Sequence, residues 1–236
     1  MLKAGRIALV LTLSVLCVPA FGAVSFPLEG SGWTVLGPSF MDLNVVVDDV
    51  HWADDPAESY VLIEIQKKHW VAPDENGNFS PITLTFVTDS TSEAVPNIRI
   101  ADETISNFTG SDWYDYHWIL SKFEHASFNT ETPVYTGNPP DAPDGVWDVY
   151  PFSGYSWDLG ETTETLSVFD GVVPDFSVFS PGVYSNGYLE INVDLESAPE
   201  RFSFDLKQLP TIPEPATLGL LALGSGAFLA KRRRRD

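Results

Sequence analysis

Carboxylates are the most abundant side chains of this sequence that can take part in chemistry. Asp and Glu number 33 against 13 Lys and Arg, which gives a net charge of -20. Carboxylate and amide oxygens that lie close together in loops are the ligands that Ca²⁺ takes in proteins. Calcium is therefore the one cofactor that the sequence suggests, and the candidate ligands are Asp74, Asn76, Asn78, Asp144 and Asp148.

The first three candidate ligands have an alternative interpretation. The segment 74–78 departs from the helical calcium loop, because Phe79 stands where that loop requires glycine. Asn76-Gly77 between two β-rich runs is typical of a two-residue hairpin turn. A calcium loop and a hairpin turn both stay open here, and the pattern favours the turn.

No residue pattern for catalysis stands out. The sequence has neither a Gly-x-Ser-x-Gly elbow nor a Gly-rich phosphate-binding loop, and its one cysteine, Cys17, lies in an N-terminal apolar run. The histidines lack the close spacing of a zinc site; they are His51, His69, His117 and His125. A glycosidase needs only two carboxylates at a set separation, and the sequence does not single out a pair. We predict that the protein is not an enzyme and has no catalytic residue, with a polysaccharide-active enzyme as an alternative.

The densest group of aromatic residues lies at positions 113–118. Successive side chains of a strand face opposite sides, so Tyr114, Tyr116 and Trp118 would share one face and Trp113 the other. One of these faces is expected to lie in the core, whereas flat rings on an open face can stack on sugars. Trp113, Tyr114, Tyr116 and Trp118 are therefore a candidate glycan platform, and packing of these rings in the core is the alternative that the sequence favours.

The elements that position these residues are predicted to be strands. Short runs rich in β-branched and aromatic residues alternate with turn residues, and no stretch of helical periodicity is convincing. The candidate strands are 41–45, 60–65, 82–87, 97–105, 113–120, 146–157, 165–169, 176–179, 188–195 and 201–206. This pattern predicts an all-β protein, a single antiparallel, jelly-roll-like β-sandwich over residues 23–207. Two smaller sheet domains divided near the proline-rich loop 138–143 are the alternative.

The two ends of the chain are typical of targeting segments. Residues 1–22 combine early positive charge, an apolar run and small residues, which predicts a cleavable signal peptide and export by the general secretion machinery. Residues 208–215 form a Pro-rich spacer, and the uncharged run 216–230 predicts a single transmembrane helix. The tail 231–236 is basic and is expected on the cytoplasmic side; its cations are Lys231, Arg232, Arg233, Arg234 and Arg235.

The C-terminal segment also carries a family resemblance. Pro213-Glu214-Pro215, followed by Ala216-Thr217, the apolar run and the terminal arginines, resembles the PEP-CTERM sorting signal of Gram-negative bacteria. The resemblance implies recognition by a membrane protease of the exosortase type, cleavage near Pro-Glu-Pro and delivery to the cell surface or extracellular matrix. Proteins of this kind accompany exopolysaccharide and biofilm formation. Residues 105–117 are similar to a stretch of β-sandwich domains without known activity that bear the same tail.

The charge of the interior limits its partners. Residues 23–212 hold six basic and 31 acidic side chains, which excludes direct binding of nucleic acid because no cation cluster is present to neutralise phosphates. Anionic polysaccharide would be repelled in the same way, so a neutral glycan or another matrix protein is the expected partner. We predict an exported, acidic protein with a structural or adhesive role beside exopolysaccharide. A carbohydrate-binding module that uses the strand 113–118 is the alternative.

Overall fold

The computed structural model describes residues 22–39, 42–70, 80–121 and 124–211, and the side chains of all of these except residues 67–70. Residues 1–21 of the predicted signal peptide, the predicted transmembrane helix 216–230 and the basic tail 231–236 lie outside these ranges. So do the sorting motif Pro213-Glu214-Pro215 and the calcium candidates Asp74, Asn76 and Asn78. Within the described ranges, no helix has both the length and the apolar character needed to cross a membrane.

The described residues form strands joined by turns, as the sequence predicts. Three single-turn 3-10 helices lie between the strands, at Pro56–Glu58, Thr91–Glu93 and Pro139–Asp141. The strands are β1 (Ala23–Leu28), β2 (Trp33–Pro38), β3 (Asn44–His51), β4 (Tyr60–Trp70), β5 (Ile82–Thr88), β6 (Asn97–Asn107), β7 (Trp113–Ser121), β8 (Ala126–Phe128), β9 (Val134–Tyr135), β10 (Trp147–Asp148), β11 (Gly154–Leu159), β12 (Thr163–Val173), β13 (Val178–Phe179), β14 (Leu189–Val193) and β15 (Phe202–Leu209).

Two large sheets account for most of these strands. The seven-stranded sheet has the order β1-β2-β5-β15-β7-β12-β11, and all of its neighbours are antiparallel. The six-stranded sheet has the order β3-β4-β6-β14-β8, with β13 paired to β6. The short strands β9 and β10 form a separate parallel pair. Both large sheets contain strands from before and after the loop 138–143, so the chain is not divided there into two sheet domains.

One feature of the six-stranded sheet differs from the antiparallel prediction. Its neighbours β4 and β6 are parallel, because β5, which lies between them in the sequence, belongs to the other sheet. A chain that leaves a sheet and returns beside the strand it left can run in the same direction as that strand. The turn predicted around residues 76–77, between β4 and β5, lies outside the described residues and stays a prediction.

Alternation along the strands places one face of each sheet in a common core. Val61, Ile63 and Ile65 of β4 are fully buried, and so are Leu84 and Phe86 of β5. Side chains from both sheets belong to one hydrophobic cluster. At about 25 cal/mol per Å² of buried apolar surface, such a core can stabilise a domain whose described strands contain no cysteine.

The last strand extends farther than the sequence indicates. The predicted Pro-rich spacer begins at residue 208, yet Gln208 and Leu209 belong to β15, where they pair with Trp118 and His117 of β7. Gln208 is fully buried. The folded domain therefore includes residues that the sequence assigns to the spacer, and the predicted boundary at residue 207 is too early.

Candidate functional site

The strand that the sequence offers as a glycan platform, β7, turns its large rings into the core. Trp113, Tyr116 and Trp118 are fully buried, and Tyr114, which is 51% exposed, faces solvent. Trp113 departs from the expected alternation at the point where the pairing of β12 with β7 is irregular, between Phe169 and Val173. Fully buried rings cannot stack on a sugar. The structure therefore contradicts the platform and supports the alternative of core packing.

Polar atoms from three strands meet beside these buried rings. The fully buried Glu103 of β6 accepts hydrogen bonds from Trp118 Nε1 at 3.0 Å and from Gln208 Nε2 at 2.8 Å. Gln208 Oε1 in turn accepts a hydrogen bond from the Tyr116 hydroxyl at 3.0 Å. Burial and the nearby Glu103 carboxylate raise the pKa of Tyr116 well above its ordinary value, so the phenol remains a donor. This network, which we call the core network, ties β6 of one sheet to β7 and β15 of the other.

A different set of aromatic residues faces solvent on the six-stranded sheet. An open groove of about 1060 Å³ lies over the face of this sheet opposite the core and reaches Glu164 of β12 in the other sheet. We call it the outer groove; it is lined by His51 from β3, Tyr60 from β4, Arg99 from β6, and Glu190 and Asn192 from β14. A smaller depression of about 330 Å³ shares Tyr60 and Arg99 with it and continues along the same face.

Arg99 lies where the two depressions meet. Its guanidinium carbon is 4.0 Å from the centroid of the Tyr60 ring and 4.4 Å from that of the Tyr188 ring, so a ring contacts the cation on each side. Arg99 Nη2 is 3.5 Å from Glu190 Oε1. The arginine side chain is 20% exposed, and within the described part of the chain its Nε has no hydrogen-bond partner. The groove thus presents a cation flanked by two tyrosine rings.

Neighbouring side chains fix the Tyr60 ring. His51 stacks on it, with ring centroids 5.3 Å apart at 30°. The Tyr60 hydroxyl donates a hydrogen bond to Asp49 Oδ2 at 3.1 Å. Burial, together with that hydrogen bond, raises the pKa of Tyr60 above its ordinary value. These contacts hold the ring in one orientation.

Carboxylates dominate the electrostatics of this face. The outer groove is lined by Glu58, Glu124, Glu164, Glu190 and Asp194, and the smaller depression by Asp48, Glu64 and Asp102. Partial burial, reinforced by the carboxylates of Glu64, Glu103 and Asp48, raises the pKa of Asp102 to about 6. Apart from Arg99, the lining of both depressions includes no lysine or arginine among the described residues. The arrangement suits an uncharged ligand that offers hydroxyl groups to acidic acceptors.

The two described calcium candidates, Asp144 and Asp148, both accept hydrogen bonds from the segment 184–186. Asp144 is exposed and accepts a hydrogen bond from Asn186 Nδ2 at 3.3 Å. Asp148 is fully buried, and its Oδ2 accepts the Tyr184 N–H at 3.0 Å. Burial raises the pKa of Asp148. Among the described residues, no group of three or more His, Cys, Asp or Glu is suited to hold a metal ion. Calcium binding at Asp144 and Asp148 and at residues 74–78 stays a prediction.

Sequence reasoning missed the residues of the outer groove. Tyr60, Arg99 and Tyr188 are far apart in the sequence and share no motif. One signal was available, because Arg99 is one of six basic residues in the interior and alternates with Ile98 and Ile100. In a strand whose isoleucines are buried, the arginine must lie on the opposite face.

Comparison with known proteins finds one local similarity. The family model described as the PEP-CTERM protein-sorting motif matches residues 211–235, which confirms the resemblance of the C-terminal segment. No curated protein and no solved structure matches the chain. The match begins at Thr211, the last residue that the structure describes.

Proposed function

We propose that this chain, an exported protein that is anchored by its C-terminus before an exosortase processes it, is a non-catalytic adhesive component of the surface or extracellular matrix of a Gram-negative bacterium. Its outer groove binds a neutral glycan of the exopolysaccharide. The observation that carries the binding proposal is the placement of Arg99 between the Tyr60 and Tyr188 rings, where the outer groove meets the smaller depression.

The shape of the groove supports binding of a polymer. It is open along one face of the sheet and continues past Arg99 into the smaller depression. The middle of a chain of sugar units can enter such an open groove from the side, so no free chain end is required. The ring of Tyr188 supplies apolar contact area with few internal torsions to immobilise, which limits the entropy lost on binding.

The charge of the groove supports a neutral glycan over an anionic one. Five carboxylates line the larger depression, and their field would repel a uronic acid polymer. Neutral sugars avoid that repulsion, and their hydroxyl groups can donate to Glu190 and to the side-chain oxygen of Asn192. Arg99 supplies donors from the middle of the groove.

Glycan binding is tested with the full chain purified in detergent. Calorimetric titrations use oligosaccharides of a neutral glucan, oligosaccharides of a uronate polymer and exopolysaccharide from the producing cells. Tyr188→Ala is expected to weaken binding of the neutral sugar about tenfold, because a contact worth about 1.4 kcal/mol is lost. Tyr155→Ala is the matched control, since Tyr155 is 43% exposed on β11 of the other sheet. Equal loss in both variants, or preference for the uronate, would contradict the proposal.

The two alternatives predict different results. Release of reducing ends from the exopolysaccharide during incubation would show a polysaccharide-active enzyme and overturn the non-catalytic role. Binding through the strand 113–118 would require the Trp113, Tyr116 and Trp118 rings to leave the core. Tyr114→Ala would then weaken glycan binding more than Tyr188→Ala, which the buried position of the other three rings argues against.

A further inference from the structure

The last described residue of the chain is held by the side chains of β7. The Thr211 N–H donates a hydrogen bond to Asp115 Oδ1 at 2.6 Å. The Thr211 hydroxyl is 3.0 Å from His117 Nε2. The other ring nitrogen of His117, Nδ1, is 2.9 Å from the Ser167 hydroxyl of β12. Asp115 and His117 also face each other, with Oδ1 and Nε2 3.4 Å apart.

These side-chain contacts begin where the backbone pairing between β15 and β7 ends. Leu209 is the last residue of β15 paired with β7, and its partner is His117. Pro210 follows and has no N–H with which to continue the ladder. Side chains from the solvent face of β7 then bind the next residue, Thr211. We call Asp115, His117 and Thr211 the terminal clamp.

Electrostatics favour the clamp when Asp115 is ionised. Partial burial by itself would raise the pKa of Asp115, but hydrogen bonds from His117 and Thr211 outweigh that effect and lower the pKa below its ordinary value. The carboxylate is therefore charged near neutral pH and accepts a charge-assisted hydrogen bond from the Thr211 N–H, a stronger class of bond than a neutral pair.

The clamp lies directly beside the sorting motif in the sequence. The match to the motif begins at Thr211 itself, and Ile212 alone separates Thr211 from Pro213. Two residues of extended chain span at most about 7 Å. A protease that acts near Pro213-Glu214-Pro215 must therefore approach to within that distance of the edge of the folded domain.

We propose that the terminal clamp positions the sorting motif for the exosortase, so that Asp115, His117 and Thr211 are positioning residues for processing. A motif that leaves the domain from a fixed point has fewer orientations to lose when it enters the protease. Less conformational entropy is then lost on productive binding. The inference is independent of glycan binding in the outer groove, because the clamp lies on the seven-stranded sheet.

The test measures removal of the tail in cells that contain the protease. Pulse-labelled full-length chains are followed by the mass change that accompanies loss of the C-terminal segment. Asp115→Ala removes the acceptor of the Thr211 N–H and is expected to slow processing about fivefold, from the value of one such hydrogen bond. Thr211→Val removes the hydroxyl contact alone and is expected to slow processing about threefold. Asp158→Ala and Thr163→Val change exposed residues of the same sheet and should process at the normal rate.

A second variant separates positioning from a merely structural role. Insertion of Gly-Ser-Gly-Ser between Thr211 and Ile212 keeps the clamp but moves the motif away from it. This insertion is expected to slow processing about fivefold, and Asp115→Ala added to the inserted chain should have little further effect. If Asp115→Ala acted only by weakening the fold, its effect would persist in the inserted chain. Thermal unfolding and hydrogen exchange at the Thr211 amide report separately whether the domain is folded and the clamp is open.

Several outcomes would overturn the proposal. The Asp115→Ala variant could be processed at the normal rate while its Thr211 amide exchanges freely with solvent. That result would show that the clamp does not affect processing by the protease. Faster processing would show that the clamp shields the motif instead of presenting it. Failure of the unaltered chain to lose its tail in the presence of the protease would refute sorting by this route, a result distinct from any difference among variants.

Discussion

The core network and the outer groove each place one ionisable side chain in contact with aromatic rings, yet the environments of these two side chains are opposite. In the core network, Glu103 lies between the sheets with hydrogen bonds to Trp118 and Gln208. In the outer groove, Arg99 lies between the Tyr60 and Tyr188 rings and remains 20% exposed. A buried charge must have its bonding capacity satisfied, whereas a charge at the surface can retain capacity for a ligand.

The difference between the two regions shows which aromatic residues of a β-sandwich sequence are buried and which are exposed. The rings of β7 are adjacent in the sequence, and three of them are buried. The rings of the outer groove come from strands that are separated in the sequence and meet only in the folded sheet. A dense local cluster of aromatics therefore indicated core here, and the exposed aromatic surface had no local signature.

The largest effect is expected from removing the charge of the core network. Glu103→Ala should lower the free energy of unfolding by about 4 kcal/mol, because it removes the acceptor of the buried Trp118 and Gln208 donors and opens a cavity. Urea unfolding followed by tryptophan fluorescence measures the change. Glu161→Ala is the control, because Glu161 is exposed, and should change stability by less than about 0.5 kcal/mol. A loss below about 1 kcal/mol for Glu103→Ala would contradict the role of the network.

Two tyrosines of β7 give a direct test of which face is buried. Tyr116→Phe removes the hydroxyl bonded to Gln208 and should destabilise the protein by about 1.5 kcal/mol. Tyr114→Phe changes a ring that is 51% exposed, and we expect a change within about 0.5 kcal/mol. Thermal and urea unfolding of both variants measure the difference. The reverse order would mean that the register of β7 against β12 differs from the one described.

In the outer groove, the geometry of the cation should matter more than its charge. Arg99→Lys keeps the charge but loses the planar group between the two rings, and should cost about 1 kcal/mol of stability. Arg201→Lys is the matched control, because Arg201 and its partner Asp89 are 82% and 84% exposed, and such pairs contribute little. Equal effects in urea unfolding would show that the rings do not stabilise Arg99.

The smallest effect concerns pH dependence at the edge of the groove. The pKa of Asp102, about 6, lies above its ordinary value of 3.8, so the folded state binds more protons between these values and stability falls as pH rises from about 4 to 6. Asp102→Asn should flatten this part of the profile. It should stabilise the protein at pH 7 by up to about 1 kcal/mol, since partial exposure reduces the effect. Urea unfolding at several pH values tests this; an unchanged slope would contradict the crowding of Asp102 by neighbouring carboxylates.

Strands with clean alternation were predictable, and strands with interruptions were not. Ile82-Thr83-Leu84-Thr85-Phe86 alternates apolar and polar residues and forms β5 as predicted. β1 and β2 were missed because Pro27, Gly37 and Pro38 weaken the pattern. Pro27 is tolerated because β1 is at the edge of its sheet, where one side of the strand needs no partner. The predicted strand 146–157 is divided into β10 and β11.

The candidate sites divide in a similar way between what could and could not be predicted. The sorting motif is a continuous segment, so sequence alone located it, and the family match confirms it. The outer groove was not predictable, since His51, Tyr60, Arg99 and Glu190 become neighbours only through strand pairing. The terminal clamp was hidden for the same reason, because Thr211 and Asp115 are 96 residues apart in the sequence.

The sequence by itself determined the all-β class, the acidic surface and the sorting tail. Each depends on the order or the total of residue types along the chain: alternation sets the faces of strands, the summed side chains set the net charge, and the tail is a continuous segment. The tertiary structure decided that β7 is buried, that β4 and β6 run parallel, and that the groove and the clamp exist. Those features depend on which strands pair and in which register, and pairing is set by contacts between residues far apart in the chain.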